Sequence, residues 1–118
     1  MVLVRPIVVD TASTDGSVEY LRERHPDVKL LALPENRGYA GGANAGLQAG
    51  TGEYAIILNP DVALAPDHLQ ILAARLDGDP RIGATRSERF HSRGDDAACM
   101  SSAWAVRVRG TRQSRPRY

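Results

Sequence analysis

The chain has a single cysteine, Cys99. It cannot close an internal disulfide and stands in no metal-ligand spacing, so a reducing, cytoplasmic setting is expected. No apolar run approaches the roughly 18 residues needed to cross a bilayer. The longest candidate, Tyr54 to Leu58, has only a strand's length. A secretory leader is not expected either, because Arg5-Pro6 and Asp10 interrupt the first apolar stretch. Also missing are the G-x-S-x-G elbow of a hydrolytic serine and a Walker-type G-K-S/T. GTGEYA, from Gly50 to Ala55, matches G-x-G-x-x-A in letters only, since it precedes a strand instead of joining a strand to a helix. His25, His68 and His91 are dispersed, with no helical pair to grip zinc.

What is present fits one domain of 118 residues, enough to bury a core. Charge is uneven along it. Residues 1–85 carry 7 Lys/Arg against 11 Asp/Glu, a net −4, while residues 86–118 carry 8 Arg against 3 Asp/Glu, a net +5. Such a shift marks two kinds of sequence. LVRPIVV (Leu3 to Val9) reads as a strand whose first half Pro6 demotes to a lead-in. TASTDGS supplies cap and turn formers before a short helix, VEYLRER, which Pro26 stops. VKLLAL is a second strand, and PENRGYAGG reads as a glycine-rich loop. ANAGLQAG is then a short helix closed by Gly50 or Gly52, followed by EYAIIL as a third strand. Pro66 suits a first helical position, and Leu69, Leu72, Ala73 and Leu76 repeat at helical spacing. RIGAT opens a fourth strand.

The order β-α-β-α-β-α predicts an α/β fold with a mostly parallel sheet and flanking helices. Beyond Thr85 the pattern dissolves, apart from a short strand at Trp104 to Val108. Residues 1–85 are therefore expected to form the folded domain and residues 86–118 an irregular basic tail, disordered in part. Its scattered arginines are read as solvated, and nucleic-acid binding is not expected.

In parallel sheets, binding sites lie at the carboxyl ends of strands. Asp10 follows the first strand and suits hydrogen bonds from a base or ribose, or equally from backbone N–H groups of its own loop. Asn36-Arg37 places a permanent cation beside glycines that let a backbone approach a ligand. Asn59 and Asp61, two apart in a segment read as extended, present oxygens suited to Mg²⁺ or Mn²⁺ shared with phosphates, or form a plain Asn-Pro-Asp turn.

These segments, taken in order, resemble a known family. VVDTASTDGSVEYL followed by PENRGYAGGANAGLQAGTGEYAIILNPDV is similar to the nucleotide-sugar-binding half of family 2 glycosyltransferases of GT-A (Rossmann-like) fold, rhamnosyltransferase-like branch. That branch reads VVDNASTDGS, then N-x-G-Y/F-A/G-x-A/G-x-N-x-G, then LLNPD. The resemblance covers about residues 7–85. It implies that Asp10 binds the uracil or thymine base of a UDP- or dTDP-sugar. It further implies that Ser13, Asn36, Arg37, Gly38, Asn44 and Asn59 belong to the donor site, and that Asp61 holds Mg²⁺ or Mn²⁺ with the diphosphate. Thr11 departs from the family's usual Asn, which removes an amide donor there.

The implied reaction transfers the sugar, with inversion, to a saccharide or lipid-linked acceptor in cell-surface polysaccharide synthesis. The implied location is cytoplasmic, including the inner face of the membrane. Similar enzymes carry a further strand and helix before VVDN and an acceptor-binding half, with the catalytic base, after NPD. The expectation is accordingly a chain truncated at both ends, its catalytic residues unknown. It either works as part of a glycosyltransferase or persists as a non-catalytic remnant that binds nucleotide and metal. An exposed sheet edge would permit a homo-oligomer.

Overall fold

A computed structural model describes residues 3–62, 64–91 and 99–108. They fall into two compact units, Leu3–Thr51 and Gly52 onward. The first unit runs β1 (Ile7–Thr11), α1 (Ser17–Arg24), β2 (Lys29–Leu33) and α2 (Gly38–Ala49). β1 and β2 pair in parallel, with Val9 opposite Leu31 and Asp10 opposite Ala32. The strand begins only after Pro6, which cannot donate to a ladder. It continues through Asp10 to Thr11, so the carboxylate sits on the strand's last turn of pleat.

Helix α1 starts where Gly16 takes a left-handed conformation (φ 83°) and the Asp15 carboxylate accepts the Ser17 amide at 3.1 Å. Arg22 and Arg24 lie in its last turn, favourable to the negative pole of a helix, and the His25 N–H closes it onto the Leu21 carbonyl. Helix α2 differs from the sequence reading. The segment taken as loop through Gly42 is helical from Gly38. Glycine normally costs a helix about 1 kcal/mol, but here two of the glycines are contact surface. A Cβ built on Gly42 would lie 3.2 Å from Thr11 Cγ2, and one on Gly46 would lie 3.2 Å from Val9 Cγ2. Four residues apart, they form one helix face laid closely on β1. At the other end Lys29 Nζ bonds the Ala49 carbonyl at 3.1 Å, placing a cation on the helix's negative pole. The Gly50 N–H then bonds the Gly46 carbonyl, so the helix closes at Gly50 as its sequence anticipates.

The second unit holds β3 (Tyr54–Ile57), α3 (His68–Gly78), β4 (Ala84–His91) and β5 (Cys99–Arg107). Its sheet has the order β3-β5-β4, with β5 antiparallel to both neighbours. β3 and β4, joined through α3, therefore run parallel to each other, as a strand-helix-strand unit should. Strand β5 inserts between them. Residues 92–98 are too few for the dozen-residue crossover that parallel pairing with β4 would need, so β5 must return antiparallel. Strand pairing continues past Thr85 into β4 and β5, where the sequence predicts only a short strand at Trp104 to Val108. Residues 92–98 and 109–118 lie outside the described residues, among them Asp95 and Asp96, weak candidates for a catalytic carboxylate from the sequence.

The core of this unit is Leu72, Leu76 and Ala105, with Tyr54, Ile56, Leu64 and Ile82 packed around it. Leu72 and Leu76 are the helical repeat legible in the sequence, and Ala105 comes from β5, of which the sequence shows only the end, at Trp104 to Val108. Helix α3 starts at His68, two residues later than Pro66 suggests, and Gly78 is its last residue rather than the one beyond.

Arg107 ties the unit together. Its guanidinium donates to the Leu76 carbonyl near the C-terminus of α3, to the Ile82 carbonyl at 3.5 Å and to the Tyr54 hydroxyl at 3.3 Å. It also lies 5.2 Å from the Tyr54 ring centre. No helix among the described residues is long and apolar enough to cross a membrane.

Candidate functional site

Asp10 is the polar side chain that the first unit buries, at 8% exposure. Its Oδ2 accepts the Ser13 amide at 3.0 Å, across a turn in which Ala12 holds a positive φ of 63°. The carboxylate thus organises the loop after β1, and Ser13 takes part through its backbone while its residue stays exposed. Farther along the loop Asp15 bonds the Ser17 hydroxyl and amide, which hold its carboxyl below the usual range.

The Asn36 to Gly38 segment is built in a related way. Asn36 Oδ1 accepts the Gly38 amide at 2.9 Å, and Gly38 takes the left-handed φ of 69° that favours glycine. An amide at the start of α2 that would otherwise lack a partner is thereby satisfied. Arg37 is exposed and paired with Glu35 at 3.2 Å, an ion pair of little energetic weight at the surface. A Cβ on Gly41 would come 2.4 Å from Arg37 Cβ, so the glycine makes room for the arginine's stem. The Thr11–Gly42 approach holds the beginning of α2 against the end of β1, the strand that carries Asp10. Asn44, two residues beyond Gly42, lies on the side of α2 turned away from β1 and is exposed.

Asn59 and Asp61 belong to the other unit. They are not in an extended segment. The Val62 N–H bonds the Asn59 carbonyl at 3.3 Å, which makes Asn59 to Val62 a β-turn with Pro60 in its favoured second position. The strand itself stops at Ile57, before Leu58. Asp61 is exposed, and among the described residues no hydrogen bond or ion pair engages its carboxylate. Nor do the described residues contain three or more His, Cys, Asp or Glu grouped to hold a metal alone. A single open carboxylate suits a hard cation only where phosphate oxygens and water complete the shell.

The sequence profile of glycosyl transferase family 2 matches residues 3–116. The chain belongs to that family. The match extends well past residue 85, where the resemblance in sequence motifs had stopped, and takes in β4 and β5. Among curated relatives, the chain is 36% identical over 77 residues to the succinoglycan biosynthesis protein ExoO of Rhizobium meliloti, covering 64% of this chain and 22% of that protein. It is 32% identical over 92 residues to the N-acetylglucosaminyl-diphospho-decaprenol L-rhamnosyltransferase of Mycobacterium tuberculosis, covering 69% and 30%. Among solved structures, the mannosyltransferase PcManGT of Pyrobaculum calidifontis, in complex with GDP-Man and Mn²⁺, superposes with a TM-score of 0.56 at 39% identity, over 66% of this chain and 24% of that one. The family 2 chain therefore spans under a third of the length of each of these relatives.

Two features of the family 2 chain escaped the sequence reading. Gly42 reads as loop and Gly46 as part of a short helix, although their four-residue spacing is the signal of a shared helix face. Arg107 was assigned to the tail, and no local signal marks it, since its partners lie 25 to 53 positions away.

Proposed function

We propose that this chain carries the donor-binding part of a glycosyltransferase that moves a sugar from a nucleotide diphosphate to a hydroxyl of a saccharide or lipid-linked acceptor, in the synthesis of cell-surface polysaccharide on the cytoplasmic side. The buried Asp10 carboxylate at the carboxyl end of β1 carries the reading, within a family whose members include sugar transferases. Asp10 accepts hydrogen bonds from the base, with the Ser13 amide fixing its orientation. Asn36, Arg37 and Gly38 contribute a cation and a close-approaching backbone to the donor, and Asn44 and Asn59 polar contacts.

Asp61 holds Mg²⁺ or Mn²⁺, in keeping with its open carboxylate and with the Mn²⁺ named for the mannosyltransferase. When bound, the cation offsets charge developing on the departing diphosphate. The acceptor's proton goes to a general base that we assign to no described residue.

Calorimetric titration with UDP-, dTDP- and GDP-sugars, with and without Mn²⁺, tests the proposal. Metal-dependent binding together with sugar transfer supports it. Binding without transfer favours the alternative of a non-catalytic remnant, and titrations without heat for every nucleotide refute the donor-site assignment.

A further inference from the structure

We propose that Gly42 is a positioning residue, which through Thr11 fixes the start of α2 against the end of β1 and so sets how Asp10 and the Asn36–Gly38 turn present themselves to a nucleotide. This rests on the donor-binding reading above. Thr11 directly follows Asp10, and its γ-methyl is the atom that a Cβ on Gly42 would meet at 3.2 Å. Gly42 in turn lies one helical turn beyond Gly38, whose amide Asn36 caps. Gly46 makes the same approach to Val9 one turn farther on, at 3.2 Å, so two successive turns of α2 rest on two residues of one β1 face.

A methyl group at 42 falls inside ordinary van der Waals contact with a β-branched side chain that is stiff at χ1. The Thr11 side chain, and with its stiff χ1 the strand that carries it, must then give by a few tenths of an ångström beside Asp10. A misplacement of 1 Å costs about a hundredfold in the rate of a positioned reaction; on that scale a few tenths of an ångström corresponds to roughly fivefold, the effect we expect on nucleotide affinity. Global stability responds differently, because alanine is the better helix former and its gain offsets the crowding.

The test compares the full chain with Gly42→Ala and with the double variant Gly42→Ala/Thr11→Ser, which removes the γ-methyl. Each is titrated with UDP, dTDP and GDP in Mn²⁺, and each is melted. The expected result is nucleotide affinity about fivefold weaker in Gly42→Ala, restored to within about twofold in the double variant, with melting midpoints within about 5 °C of the parent. Unchanged affinity in Gly42→Ala, or a double variant as weak as the single one, overturns the proposal.

Should the parent bind no nucleotide, the donor-binding reading fails. The packing claim is then decided by amide resonances of Ser13 and Gly38, which report the Asp10 and Asn36 bonds. Shifts in Gly42→Ala that revert in the double variant uphold it, and unmoved resonances refute it.

Discussion

Replacing Arg107 with alanine removes the side chain on which the second unit converges. The guanidinium, with its side chain 21% exposed, donates to the Leu76 and Ile82 carbonyls and to the Tyr54 hydroxyl. The Leu76 bond satisfies a carbonyl in the last turn of α3, where the helix has no N–H donor of its own to offer and the dipole favours a cation. A hydrogen bond from a charged donor is worth about 1.5–3 kcal/mol. The Ile82 bond, at the limit of bonding distance, adds little. The stacking over Tyr54 adds about 0.5–1 kcal/mol. Glu53, at 3.9 Å and 49% exposed, adds little more. The expected loss is about 2–4 kcal/mol, or roughly 10–25 °C in melting midpoint for a small domain.

Urea denaturation followed by fluorescence reads this directly, because the chain's single tryptophan, Trp104, lies on the same strand and is half-exposed. Arg107→Lys keeps the charge but not the fork, and is expected to recover less than half of the loss. A loss below about 0.5 kcal/mol for Arg107→Ala, within the range of an ordinary surface substitution, refutes the idea that this arginine ties helix to sheet.

Asp61→Ala should abolish the Mn²⁺ dependence of nucleotide binding in calorimetry while leaving stability within about 0.5 kcal/mol, since the carboxylate is exposed and engages no described residue. Asn36→Ala leaves the Gly38 amide without its cap and should cost about 0.5–2 kcal/mol in chemical denaturation. Acid should destabilise the fold. Asp79 is held below the ordinary carboxylate value of 3.8 by its hydrogen bonds from Arg81, and Asp15 by those from Ser17. Their contribution is complete above that value and is lost as pH falls through the lower folded-state values, so melting midpoints at pH 3 and pH 2 should fall less steeply in Asp79→Asn than in the parent. At the alkaline end Tyr54 is raised above 10.0, chiefly by its hydrogen bond to Asp77. Its contribution is present below pH 10 and is lost as pH rises through the folded-state value, so Tyr54→Phe should flatten the alkaline limb of the stability profile.

Local chemistry wrote the strand-helix alternation into the sequence by itself. Pro6 delays β1, Gly16 and Asp15 begin α1, Pro26 ends it, and Leu72 and Leu76 mark the buried face of α3. Each of these depends on residues within a turn or two of chain, so no folded context was needed to read them. The family was legible for the same reason, because its motifs lie in short loops at strand ends. The sequence puts Asp10 just after the first strand, whereas it is the fourth residue of β1, and leaves open whether it serves a ligand or its own backbone. The structure shows the Ser13 bond.

Long-range pairing decided the rest. A run of glycines reads as loop until β1 is laid against it, and then Gly42 and Gly46 become the residues that let helix and strand approach without crowding Thr11 and Val9. The stretch beyond Thr85 shows only a short strand at Trp104 to Val108 and nothing of its partner, yet β5 finds β3 about fifty residues away, and Ala105 completes the core of α3. Arg107 carries no local signature, and its role exists only once α3, β3 and β5 have met. Periodicity records what a segment does with its neighbours in sequence. It cannot record a hydrogen bond whose acceptor is thirty-one residues away.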